Sequence, residues 1–270
     1  MNEFIFLLVA FFIYFLVMVL GFISLFKPVF RISRVSFYLS VTGFIFHTVS
    51  LVVRTIQSGQ APFTSMYESI NFLAWSCVLA VIIFERKFRL ERIAPYLWLI
   101  IVALLALASS PALPKEVTPL VPALQSYWLW LHVSVTLLGE AFLAIAFVVS
   151  LKYLLSQNKG LTEAEARERK EKLDLIAYRA VAVGFPLFTL GALVFGMIWA
   201  SKAWGRYWGW DPKEVWSLIT WLFYALYLHT RLAMGWRGKK SALIAVLGFL
   251  AALFTFFGVN YLLSGLHSYL

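Results

Sequence analysis

Uncharged apolar stretches too long for the core of a small soluble domain recur along the whole sequence, beginning with Phe4–Phe26. Hydrocarbon offers no water to the backbone, so runs of this length cross a membrane as helices. With 62% hydrophobic and 13% charged residues over 270 positions, the chain leaves little material for an ordinary soluble domain. The sequence predicts an all-α, polytopic helical membrane bundle, a single integral-membrane domain over 1–270. Eight spans are expected: Phe4–Phe26, Ser36–Ile56, Ile70–Phe84, Ala94–Ser109, Trp128–Leu151, Leu175–Trp199, Val215–Arg231 and Ala242–Leu263. Pro186 predicts a kink in the sixth. The first run lacks a basic leader and a small-residue cleavage site and reads as a retained helix. The segment Leu161–Asp174 alternates charges at helical spacing and reads as a solvated helical hairpin tip.

The basic residues orient these spans. With the N-terminus outside, eighteen of the 23 Lys and Arg fall in inner segments; Arg54, Lys115, Lys202, Arg206 and Lys213 fall outside. The opposite topology inverts that bias, so both termini are expected outside. The same distribution accounts for the net charge of +10 without any nucleic-acid partner. Cys77 is the lone cysteine, which excludes an intrachain disulfide, a CxxC redox pair and a cysteine-rich metal site.

Against this map one loop, about 200–214, is exceptional. Trp204, Tyr207, Trp208 and Trp210 crowd into seven positions, with Gly205 and Gly209 between them. Such a loop presents flat, polarisable faces, and its glycines permit close backbone approach to a flat ligand. Asp211-Pro212 followed by Glu214 reads as a helix start, with an N-cap, proline at N1 and an acid in the first turn. The competing reading is an interfacial aromatic belt, which requires neither the glycine spacing nor the terminal Asp-Pro.

The four histidines acquire positions from the same orientation. His132 and His267 come out at the outer face with the loop. His229 lies eighteen residues beyond Asp211, near the inner face, and His47 is mid-span. Paired neutral imidazoles are good axial donors to a haem iron, whereas zinc is less well served without a Cys or carboxylate cluster. His47 is either a packed, hydrogen-bonded side chain or a ligand. Glu140, two turns below His132, is either a buried polar contact or a proton-handling group.

The run WGRYWGWDPKEVWSLITWLFYALYLH, from Trp204 to His229, resembles the WWD motif of haem-handling proteins of cytochrome c biogenesis, and specifically the CcsA/ResC family of System II cytochrome c synthases. Leu131-His132-Val133, GVNYLLSGLHSY around His267 and the outer loop GQAPFTSMYES resemble the same family. The resemblance implies that His132 and His267 hold haem b iron outside the lipid beneath the WWD loop, and that His229 holds it within the membrane. It implies a CcsB/ResB partner chain that completes the inner site, apocytochrome c with its CxxCH segment as acceptor, and thioredoxin-like proteins as thiol reductants. No catalytic residue is implied beyond the haem ligands. The implied activity is transmembrane haem transport and presentation for covalent attachment; a bacterial inner membrane is the simpler location, with a thylakoid as the alternative. Two alternatives stand beside it: a haem carrier that loads a chaperone without ligation, and a scaffold or cation transporter without haem.

Overall fold

The computed structural model describes residues 3–26, 30–90, 92–117, 124–156 and 160–263. All regular structure among these residues is helical. The chain divides into two compact units, Met1–Val121 and Pro122–Leu270.

The first unit contains α1 (Glu3–Phe26), α2 (Phe30–Ser58), α3 (Met66–Phe88) and α4 (Ala94–Ser109). Helix α1 packs on α2 and α4, and α3 packs on both α2 and α4. The start of α3 is set locally. Ser65 is its N-cap, and Glu68 returns a hydrogen bond to the Ser65 N–H, forming a reciprocal capping box. Glu68 Oε2 also accepts from Thr64 N and Oγ1 at 2.9 and 2.7 Å. Its other oxygen takes Arg54 Nε at 2.8 Å, while Arg54 reaches Glu3 Oε1 at 3.0 Å. All three of these charged side chains are buried. A guanidinium shared between two carboxylates therefore joins the first turn of α1, the last turns of α2 and the start of α3.

The second unit contains α5 (Tyr127–Leu155), α6 (Glu163–Phe188), a π-helical segment (Thr189–Phe195), α7 (Gly196–Trp204), α8 (Pro212–Ala233), α9 (Lys239–Leu253), a second π-helical segment (Phe254–Gly258) and α10 (Val259–Leu262). Helices α5 and α6 pack through glycines. A Cβ on Gly139 would sit 2.6 Å from Phe188 N, and one on Gly184 would sit 2.9 Å from Gly139 O. At the opposite end of α6, Arg231 of α8 makes a two-pronged bond to Asp174 at 2.7 and 3.0 Å, and Asp174 also accepts from Gly238 N at 2.8 Å. That carboxylate ties α6, α8 and the turn into α9 together.

Three expectations are refined here. The charged segment after Leu161 is helical and largely exposed, as expected, but is continuous with the span that follows. Thr162 caps a helix at Glu163 with its own capping box, and that helix runs without a break into the apolar stretch. The irregularity expected at Pro186 lies just beyond it, in the π-helical segment Thr189–Phe195. Among the described residues six helices are long and apolar enough to cross a membrane, namely Glu3–Phe26, Ser33–Ser58, Met66–Phe88, Tyr127–Leu155, Glu163–Trp204 and Lys239–Leu262. Helix α4 is apolar but has 16 residues, and α8, which carries Lys213, Glu214, His229 and Arg231, lies outside this set.

Candidate functional site

His132 sits in the second turn of α5, half-buried, and its ring is fixed from two sides. Its Nδ1 lies 2.9 Å from the carbonyl oxygen of Gly191 in the π-helical segment. A carbonyl only accepts, so Nδ1 carries the proton and, in the neutral ring, Nε2 carries the lone pair. The ring face stacks on Trp199 at 5.6 Å between centroids and 9° between planes. Close approach here depends on missing side chains. A Cβ on Gly196 would lie 3.1 Å from His132 Cε1 and Nδ1, and one on Gly191 would lie 2.3 Å from Thr136 N. The π-helical segment also leaves Trp221 Nε1 donating to Thr189 Oγ1 at 3.0 Å, which ties α8 to this wall.

Trp199 continues the wall toward the loop, meeting Trp204 edge-on at 4.8 Å. Gly205 follows with φ 72° as the left-handed cap of α7, a conformation that favours glycine. Tyr207 and Trp210 are largely exposed, and Trp208 meets Trp210 edge-on at 5.8 Å. Trp210 itself has φ 58°, a left-handed backbone at a bulky residue. Such a conformation costs about 1–2 kcal/mol and persists only where its surroundings impose it. Glu214 imposes it: Oε2 accepts from Gly209 N at 2.8 Å and from Asp211 N at 3.2 Å, so both neighbours of Trp210 are pinned by one carboxylate. Asp211 Oδ1 accepts from Lys213 N at 3.0 Å, completing the capped start of α8 that Asp-Pro predicts.

The remaining candidates separate from this wall. His229 is exposed on α8, on a face shared with Leu222 and Leu226, which are 53% and 46% exposed. His47 is fully buried in the first unit, where Nε2 donates to Asn71 Oδ1 at 3.0 Å, and Tyr14 lies 6.0 Å away. Its other ring nitrogen, Nδ1, is buried without a hydrogen-bond partner among the described residues. Glu140 is buried on α5 and interacts electrostatically with Lys213. His267 lies outside the described residues. Among the described residues no group of three His, Cys, Asp or Glu side chains is placed to hold a metal ion. Cys77 is buried.

Three contributors escaped sequence reasoning: the Gly191 carbonyl, Gly196 and Trp199. A backbone acceptor leaves no residue-type signal, and Trp199 reads as the end of a span. The crowding of six tryptophans between Trp199 and Trp221 is the one pointer to it.

Residues 63–267 match the family of cytochrome C assembly proteins. The cytochrome c biogenesis protein CcsA of Synechococcus sp. (strain CC9902) is 40% identical over 82% of this chain and 82% of its own length. This chain belongs to the CcsA family. A second CcsA, from Prochlorococcus marinus (strain NATL1A), is 38% identical over 86% of this chain and 84% of its own. The CcsA of Chlamydomonas reinhardtii is 44% identical over 81% of this chain, a match that spans 64% of that relative. Among solved structures, the cytochrome c haem lyase CcmF superposes with a TM-score of 0.71 at 18% identity, covering 95% of this chain and 47% of CcmF. The chain thus spans about half the length of CcmF and shares its fold over that half. Membership of the CcsA family gives the chain a role in cytochrome c biogenesis, and the match runs through the aromatic loop and α8.

Proposed function

We propose that this chain carries haem across the membrane and holds it at an outer site for covalent attachment to the CxxCH segment of apocytochrome c. In this reading residues 1–270 act as one haem-handling membrane domain of eight spans, with both termini and the loop on the outer face of a bacterial cytoplasmic membrane. The observation that carries the proposal is the state of His132. A carbonyl accepts the Nδ1–H hydrogen bond and an indole holds the ring face, which fixes the tautomer whose lone pair is on Nε2, the form in which imidazole ligates a metal. His267 supplies the second imidazole. Trp204, Tyr207, Trp208 and Trp210 offer apolar faces to a porphyrin of the haem b type.

Haem is the cargo, and its vinyl groups supply the chemistry: each accepts a cysteine thiol across its double bond to give a thioether. The chain's own residues orient and shield. His132 holds the iron at a fixed place because its ring cannot rotate without losing both the Gly191 bond and the Trp199 stack. The Glu214 carboxylate keeps the loop in one conformation, so position is prepaid before the acceptor arrives. Thiols must arrive reduced, and the buried Cys77 offers no exchange partner, so thioredoxin-like reductants act on the acceptor. His229, exposed beside Leu222 and Leu226, suits an inner haem site whose other ligand comes from a CcsB/ResB-type partner.

The test is spectroscopic and chemical. Purified protein with its partner should show a Soret band, transfer haem to a CxxCH peptide, and lose both on His132→Ala or His267→Ala. Unchanged spectra and transfer in both variants overturn the proposal. A Soret band without transfer in the complete complex identifies a haem carrier instead.

A further inference from the structure

One polar cluster joins the half-buried Lys213, next to the loop, to the buried Asn260 and Glu140. Lys213, at the second position of α8, donates from Nζ to Asn260 Oδ1 at 3.0 Å. Asn260 is 3% exposed and donates in turn from Nδ2 to Phe256 O at 2.6 Å. On the other side, Lys213 interacts electrostatically with the buried Glu140. The three side chains come from three elements. Glu140 is on α5, eight residues beyond His132. Lys213 is on α8, two residues after the loop closes at Asp211. Asn260 is on α10, seven residues before His267.

We propose that Glu140, Lys213 and Asn260 form a positioning tie that aligns the segments carrying His132, the aromatic loop and His267. The inference rests on the outer-site reading above and deepens it. Apolar contacts such as Trp216 on Phe254, at 4.2 Å, hold α8 against the second π-helical segment but tolerate sliding. A hydrogen bond between buried polar groups does not, because a displaced partner leaves a desolvated donor and acceptor unpaired. Stability alone is a poor reason for placing a lysine and a glutamate here, since apolar residues of similar volume do as well or better in such positions. What the polar cluster adds is a fixed distance between the end of α10 and the start of α8. In the outer-site reading a loop and an imidazole that flank one porphyrin require that distance. Lys213 acts through Asn260 and Glu140 and is a positioning residue.

The test uses the full chain with its partner and reads haem occupancy and the Soret band as well as holocytochrome yield. Asn260→Leu cuts the tie to α10 and leaves Glu140 and Lys213 together. It should accumulate in the membrane as wild type does, with outer-site haem and transfer reduced on the order of tenfold. Asn260→Asp keeps the acceptor for Lys213 but loses the bond to Phe256 O, and should recover part of both. The double variant Lys213→Met/Glu140→Leu removes the charges in balance. Normal membrane accumulation with the Soret defect intact supports a positioning role. Wild-type spectra in Asn260→Leu, or in the double variant, overturn the tie. His132→Ala run in parallel separates the two readings. If it leaves the Soret band unchanged, the outer-site reading fails; if it abolishes the band while Asn260→Leu does not, only the tie fails.

Discussion

His132 has a single ring orientation because three unrelated residues agree on it: a glycine carbonyl, an indole face and a second glycine that stays out of the way. The most sensitive of these is Gly196. A Cβ there would meet the ring at 3.1 Å, so alanine forces a displacement of a few tenths of an ångström and valine a larger one. Gly196→Val is expected to lower haem transfer on the order of tenfold while the protein still inserts, read as a shifted Soret band at normal membrane yield. Trp210 makes a different prediction. Its left-handed backbone is relieved by Trp210→Gly, so thermal stability in detergent should hold or rise while transfer falls. A matching fall in melting temperature would show that the indole serves packing instead. His132, the loop aromatics and Asp211 were legible from residue type and spacing. Gly191 and Gly196 were not, because what matters there is a carbonyl and an absence, and neither depends on a side chain that a reader can see.

At the scale of elements, the chain relies on helix starts that are written locally. Ser65 with Glu68, Thr162 with Glu165, and Asp211 with Glu214 each form a reciprocal cap. Only the third was recognised from the sequence, since Asp-Pro after a run of aromatics is conspicuous, whereas Thr162 lies within a charge run that masks it. The third cap is also the one that sets the loop. Asp211→Ala removes an acceptor worth about 1 kcal/mol and should lower the melting temperature modestly. Glu214→Ala releases both Gly209 and Asp211 and should cost loop order as well, visible as faster proteolysis between Trp204 and Pro212. At the crossing of α5 and α6 the tolerance is smaller. Gly139→Leu drives a side chain into the backbone at Phe188 and is expected to prevent accumulation in the membrane.

At the scale of the molecule, hydropathy gives the class of fold and charge gives a testable orientation. Cysteine-labelling or reporter fusions should find Arg86–Arg89 and the segment after Glu163 on the inner side and the loop at Tyr207 on the outer side; the reverse would overturn the topology. The first unit depends on one cation. Arg54→Met leaves Glu3 and Glu68 buried without their counter-charge, an arrangement expected to cost about 3–5 kcal/mol, checked by thermal melting of the purified protein. The sequence placed Arg54 near the end of its span as an outer charge and offered no hint that two distant carboxylates share it. Such pairings belong to the folded chain, because the contributing residues are separated by 51 and 14 positions.

The wider helical turn at Thr189–Phe195 sets a phase. An α-helix advances about 100° per residue, and one residue accommodated in a wider turn offsets everything after it by that angle. Trp199 faces His132 only with that offset in place. Deleting a single residue there, such as Leu193, would restore ordinary winding, keep the span long enough to cross the bilayer, and turn the indole wall away from the imidazole it serves.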